Sequence, residues 1–207
     1  MTRQFDFGKQ EPVSFLLVGV GGQGTILASD ILAETGLKLE YDVKKAEIHG
    51  MSQRGGSVVT NLRWAERVYS PIVPVGGADV MVAFEKLEAA RYCQYLHSGS
   101  IAVINQHSIP PITVSAGTEQ YPEDDQIQAS ITNMGATSFW VEGMRLAEEV
   151  GNVKTANVVI LGALTAVLHL PVEVILEVVR GRVPAKFLEL NQRAFQVGFA
   201  SAGVAEK

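Results

Sequence analysis

The sequence predicts a three-layer α/β/α domain in which a mostly parallel but mixed sheet carries helices on both faces and the C-terminal part is helical. Three observations predict it. Val13 to Val18 is a near-continuous apolar run, the pattern of a strand buried on both faces, and it leads straight into a glycine turn and a helical segment. Further apolar runs then alternate with helical patterns as far as Asn105. Finally, 47% of the 207 residues are hydrophobic and 19% are charged, the balance of one domain with a large core. Residues 13–201 are expected to form that domain, with tails at 1–12 and 202–207.

The first helix is expected over Thr25 to Thr35, where Ile26, Leu27, Ile31 and Leu32 recur at helical spacing, with Gly36 as its stop. Glu40 to Ala46 reads as a second strand. After a polar loop, Ser57 to Arg63 alternates as a strand and is expected to pair with Val68 to Ser70 as a hairpin across Trp64-Ala65-Glu66. Val80 to Phe84 reads as a buried strand, Lys86 to Leu96 as a helix ending near Gly99, and Ile101 to Ile104 as a further strand closing on Asn105. Prolines and acids make Ile109 to Glu123 an irregular surface segment, with a short strand at Ile112 to Val114. Thr137 to Val141 is the last strand, and Glu142 to Val150 an amphipathic helix ended by Gly151. Three helices follow, Thr155 to His169, Pro171 to Arg180 and Pro184 to Phe199.

Composition excludes several classes of function. The net charge is -5, and the basic residues form no stripe that would neutralise a phosphate backbone, so no nucleic acid partner is expected. Cys93 is the single cysteine, the usage of a reducing compartment, and an iron-sulfur cluster takes about four thiolates. The first eleven residues lack the apolar core of a signal peptide. The longest apolar stretch, Asn157 to Leu170, is interrupted by Gly162, Thr165 and His169 and falls short of the roughly 20 residues a bilayer needs. The expectation is a cytoplasmic protein with no membrane partner. His97, His107 and His169 show no metal-ligand spacing, so no metal site is expected.

Two stretches carry the chemistry. Gly19, Gly21 and Gly24 satisfy G-x-G-x-x-G between strand and helix, the Rossmann-like frame in which a side-chain-free backbone approaches a phosphate at a helix N-terminus. Gly22 opens the turn further, and Gln23 lies within it. The plainer reading is that these glycines only let the first helix pack on the sheet. Glu47 stands near where a dinucleotide fold places its ribose-binding acid, and it is equally readable as a surface carboxylate paired with Lys44 or Lys45. The loop His49-Gly50-Met51-Ser52-Gln53-Arg54-Gly55-Gly56 is the most unusual stretch. It gathers an imidazole, a hydroxyl, an amide and a guanidinium among glycines, so that donors can converge on one anionic or planar group; the alternative is a solvated turn. Asn105 either faces the crevice or caps the next turn. Cys93 reads as a buried, inert thiol on a helix.

These residues also carry a resemblance. The glycine turn Gly19 to Gly24, the run Glu47 to Ser57, Glu85-Lys86-Leu87-Glu88-Ala89 and Asn157-Val158-Val159-Ile160-Leu161-Gly162-Ala163 resemble the gamma-type domain of 2-oxoacid:ferredoxin oxidoreductases, above all of the indolepyruvate type, over Phe15 to Phe199. The resemblance implies a subunit with no catalytic residue of its own, inactive alone. It would work in a complex that decarboxylates indolepyruvate or another arylpyruvate, passes electrons to ferredoxin and releases an acyl-CoA. It further implies that thiamine diphosphate, magnesium and the iron-sulfur clusters reside on a large partner subunit, and that this chain serves coenzyme A access at the interface, binding no cofactor tightly. Gly19, Gly21, Gly22, Gln23, Gly24, Glu47, His49, Gly50, Ser52, Gln53, Arg54, Gly55 and Gly56 are the expected binding residues. The competing expectations are a stand-alone nicotinamide-dependent dehydrogenase using Glu47, and a non-catalytic nucleotide-binding assembly protein.

Overall fold

The structure, a computed structural model, describes residues 12–49 and 56–202. Strand β1 (Val13–Val20) feeds helix α1 (Thr25–Lys38), which returns the chain to β2 (Asp42–His49); β3 (Ser57–Ala65) and β4 (Ala78–Ala83) follow. Helix α2 (Lys86–Arg91) and a 3-10 turn lead to β5 (Leu96–Asn105). The short α3 (Ile112–Ser115) and α4 (Asp124–Thr132) precede β6 (Thr137–Val141). Four helices close the chain: α5 (Gly143–Val150), α6 (Ala156–Val167), α7 (Val172–Arg182) and α8 (Leu188–Ala202).

The six strands are ordered β2-β3-β1-β4-β5-β6. Strands β1, β4, β5 and β6 run parallel, whereas β3 lies antiparallel between β1 and β2. The sheet is therefore mixed, as the sequence implied. The expected hairpin partner is corrected: β3 pairs with β1 and β2, and Val68 to Ser70 forms no strand. Side-chain groups hold that segment instead, with Asp42 Oδ2 accepting from Val68 N at 2.8 Å and Asn61 Oδ1 from Val73 N at 3.0 Å.

Alternation along β1 builds both interfaces of the sheet. Phe15 and Leu17 enter the larger core with residues of α1 and α5 to α8, and Leu16 and Val18 enter the smaller core beneath α2 and α4. All four are fully buried, each such side chain contributing roughly 1.5–3 kcal/mol by removal from water. Helices α6 and α8 approach so closely that a Cβ on Gly162 would stand 2.1 Å from the Phe195 carbonyl oxygen, and one on Gly198 1.9 Å from that of Val159.

Other local expectations are corrected too. The first helix continues past Gly36, which is glycine because a Cβ there would meet the Trp64 ring at 2.7 Å. Helix α2 stops at Arg91 because β5 already begins at Leu96, so Gly99 lies within a strand. Cys93 sits half-buried in the 3-10 turn between them, against the smaller core. Ile112 to Val114 belongs to a helical turn, and α4 went unread in the acidic segment. Among the described residues no helix is long and apolar enough to cross a membrane.

Candidate functional site

The glycine turn is built by its own side chains. Gln23 folds back, its Oε1 accepting from Val20 N at 2.8 Å and its Nε2 donating to the Phe84 carbonyl at 2.8 Å. Gly19 is required beneath it, since a Cβ there would lie 2.8 Å from Thr25 Oγ1 and 3.0 Å from Gln23 Oε1. Gly22 and Gly24 take left-handed φ values of 104° and 79°, which favour glycine. A Cβ on Gly24 would also strike the Asn157 amide at 2.4 Å. Gly21 N donates to the Gly56 carbonyl at 2.9 Å, docking the residue before β3 onto the turn.

Helix α1 starts at this turn with Gly24 as its N-cap and no side-chain cap, so its first N–H groups stay available to an anion. Beneath them the Thr25 hydroxyl, 3% exposed, has no hydrogen-bond partner among the described residues. A cleft of about 660 Å³ opens over the turn. Gly21, Gly22, Gln23 and Gly24 form one wall, and Asn105, His107 and Ile109 another. Met144 at the start of α5, and Lys154, Ala156 and Asn157 at the start of α6, complete it. Three helices thus begin at one cleft, each presenting the positive end of its dipole. Lys154 adds a full charge and has no carboxylate partner among the described residues.

Asn105 lines the cleft and, rather than capping the turn that follows it, caps a helix 38 residues on. Its Nδ2 donates to the Phe84 carbonyl at 3.0 Å and its Oδ1 accepts from Gly143 N at 3.0 Å, so it ties β4 to α5 while lining the cleft. Asn157 reaches back 133 residues to donate to the Gly24 carbonyl at 3.3 Å. Of the residues expected from sequence, Gly21, Gly22, Gln23 and Gly24 line the cleft, Gly19 supports them and Gly56 touches Gly21. Gln23, however, spends its amide on the turn itself. His49 ends β2 in register with Val58. Gly50, Met51, Ser52, Gln53, Arg54 and Gly55 lie outside the described residues.

Glu47 does not stand where a dinucleotide fold needs its acid. It is in register with Thr60 of β3, which is in register with Leu17 of β1, so an intervening strand puts it roughly 10 Å from β1. Its carboxylate meets Lys45 Nζ at 2.6 Å, the surface pairing that was the alternative. Desolvation lowers the Lys45 pKa, but the hydrogen bonds it donates to Asp30 and Glu47, together with their negative charges, outweigh it and leave the pKa raised. Lys154, Asn157, His107 and Met144 were not singled out from sequence as site residues. No local pattern marks them, although Asn157 opens an apolar helix where an amide has no packing use.

A family model described as pyruvate ferredoxin/flavodoxin oxidoreductase matches residues 14–201. The chain belongs to this family. Among curated relatives, the indolepyruvate oxidoreductase subunit IorB of Thermococcus kodakarensis is 41% identical over 192 residues, 91% of this chain and 95% of that protein. Among solved structures, the gamma subunit of a keto/oxoacid ferredoxin oxidoreductase from Geobacter sulfurreducens is 25% identical with a TM-score of 0.69, covering 93% of this chain and 99% of that one. A 2-oxoglutarate:ferredoxin oxidoreductase from Magnetococcus marinus, solved with 2-oxoglutarate, coenzyme A and succinyl-CoA bound, shares the fold at 20% identity and a TM-score of 0.73. There the match covers 94% of this chain but 32% of that one. The fold therefore occurs both as a separate chain and within a longer one.

Proposed function

We infer that this chain is the small subunit of an indolepyruvate-type 2-oxoacid:ferredoxin oxidoreductase, and that its glycine-turn cleft receives the phosphate-bearing end of coenzyme A. The observation that carries the reading of the cleft is the convergence of three helix N-termini and Lys154 on an uncapped glycine turn. The residues fit the group. The N–H groups of the first turn of α1 and the Lys154 ammonium are donors matched to an oxyanion. Coenzyme A, when bound, supplies the thiol that accepts the acyl group. This chain's residues hold its anionic end and so set where the thiol arm reaches.

The chemistry on the oxoacid belongs to a partner. A chain with one cysteine does not ligate a cluster that takes about four thiolates, so the clusters reside on the large subunit, together with thiamine diphosphate and magnesium. Electrons leave from there to ferredoxin, in the cytoplasm. The test is to assay the chain purified alone and after coexpression with the large subunit, following viologen reduction and acyl-CoA formation with indolepyruvate. Activity is expected in the complex only, with coenzyme A, but not NADH, giving heat on calorimetric titration. Viologen reduction by the chain alone would overturn the assignment as an accessory subunit. Titration by NADH but not coenzyme A would overturn the reading of the cleft.

A further inference from the structure

Helix α2 places two buried carboxyl groups one helical turn apart, Glu85 at its N-cap and Glu88 in its first turn, each 1% exposed. Burying such groups is costly unless their oxygens are bonded, and here they are. Glu85 accepts from Glu88 N at 2.9 Å, which caps the helix, from Ile109 N at 3.0 Å and from the Tyr121 hydroxyl. Burial and the hydrogen bond to Glu85 push the Tyr121 pKa well above the ordinary phenol range, so the hydroxyl remains a donor. Next to Glu85, Lys86 N donates to the His107 carbonyl at 3.0 Å, and its ammonium pairs with Asp124. One turn of helix therefore pins the segment that brings His107 and Ile109 to the cleft.

Glu88 points the other way. It accepts from the Ser57 hydroxyl and from Arg91 at 2.6 Å, and the Ser57 hydroxyl lies 3.1 Å from that of Tyr92. Ser57 begins β3 and follows Gly56, whose carbonyl accepts from Gly21 in the glycine turn at 2.9 Å. Neither carboxyl group lines the cleft; each holds a segment that contacts it.

We propose that Glu85 and Glu88 are positioning residues, a bracket that sets the spacing between the His107–Ile109 wall of the cleft and the β3 entry docked on the glycine turn, and thereby the affinity for coenzyme A. This rests on the reading of the cleft given above. A capping role alone would use only the Glu85–Glu88 bond, since the bonds to Ile109, Tyr121 and Ser57 add nothing to the helix.

The experiment uses the complete complex carrying Tyr121→Phe, Ser57→Ala or Ser57→Thr, with Lys154→Ala as the control for the cleft. Each of the first two removes one bond to the bracket and leaves the α2 cap in place. Both are expected to raise the KM for coenzyme A, and its Kd by calorimetry, roughly three- to tenfold. The KM for the oxoacid and kcat at saturating coenzyme A should not move, and Ser57→Thr, which keeps the hydroxyl, should restore affinity. Normal coenzyme A affinity in both variants, with weakened binding in Lys154→Ala, would overturn the bracket and leave the cleft standing. Normal binding in Lys154→Ala would remove the cleft and the bracket with it. A lower melting temperature with kcat and both KM values altered together would assign the two carboxyl groups to stability alone.

Discussion

Gly24→Ala tests how the glycine turn is held together, because two separate penalties meet at that residue. The left-handed backbone, with φ 79° and ψ 22°, costs an L side chain roughly 1–2 kcal/mol. The added methyl also lands 2.4 Å from Asn157 Nδ2, and Asn157 is 4% exposed with its own bond to Gly24, so it has little room to retreat. Overpacking of this kind costs about 1–3 kcal/mol. The total, about 2–5 kcal/mol, is a large share of the roughly 5–15 kcal/mol that stabilises a domain. Gly22→Ala separates the two contributions, since its φ is 104° but nothing lies within 4 Å of the new methyl. It should lose only the strain, while its methyl intrudes into the cleft and weakens coenzyme A binding. At roughly 2–4 °C per kcal/mol for a chain of this size, Gly24→Ala should melt about 2–12 °C below Gly22→Ala. The assay is thermal unfolding of the subunit followed by circular dichroism. Equal losses in the two variants would refute the packing of Asn157 against the turn as a source of stability.

Lys154→Ala should raise the KM for coenzyme A about three- to tenfold, with the difference from wild type shrinking as salt is added and Lys154→Arg retaining most of the affinity; a salt-independent effect would remove the ammonium from the anion site. Gly162→Ala and Gly198→Ala should each destabilise the subunit by about 1–3 kcal/mol or more in denaturant titrations, because the atoms they strike, 2.1 and 1.9 Å away, are backbone. The double variant should lose less than the sum, since one separation of α6 from α8 relieves both contacts, and strict additivity would show that the two sites yield independently.

Much of the fold was legible because the signals were local. The β1 run, buried on alternating faces, and the turn, with Gly22 and Gly24 at positive φ, are encoded within a dozen residues. Helix α4 was legible in principle from the spacing of Glu123 and Gln126, which form a capping box, but the acids around them read as a surface loop. The neighbour of β3 was not legible, since alternation announces a strand and says nothing about its partner. That one topological fact decides the function class: β3 displaces β2 from β1, and Glu47 with it, and so removes the acid on which a dehydrogenase reading depended. Lys154 and Asn157 were illegible for a similar reason, since only the tertiary fold brings the start of α6 against Gly24.

The distribution of caps bears on why the cleft is built for an anion. Helices α2 and α4, on the far face of the sheet, have side chains bonded to their N-terminal N–H groups, through Glu85 and through Glu123 with Gln126. Helices α1, α5 and α6, which open on the cleft, have no bond from the side chains of their own N-cap residues Gly24, Glu142 and Thr155. A missing cap is not distinctive alone, for α7 starts on Pro171 without one. Its placement is distinctive: omitting a cap typically forgoes about 0.5–2 kcal/mol, and at α1 the fold forgoes it on the cavity that Lys154 also lines. At α5 the Asn105 side chain takes up Gly143 N, and at α6 Ala156 N donates to the Val153 carbonyl and Val158 N to Asn157 Oδ1, so the open donors concentrate at α1, beside the Gly24–Asn157 contact. An anion seated there would supply the missing cap of α1. Binding should therefore slow amide exchange in the first turn of α1, and unchanged exchange there in the presence of coenzyme A would argue against an anion seated on the turn.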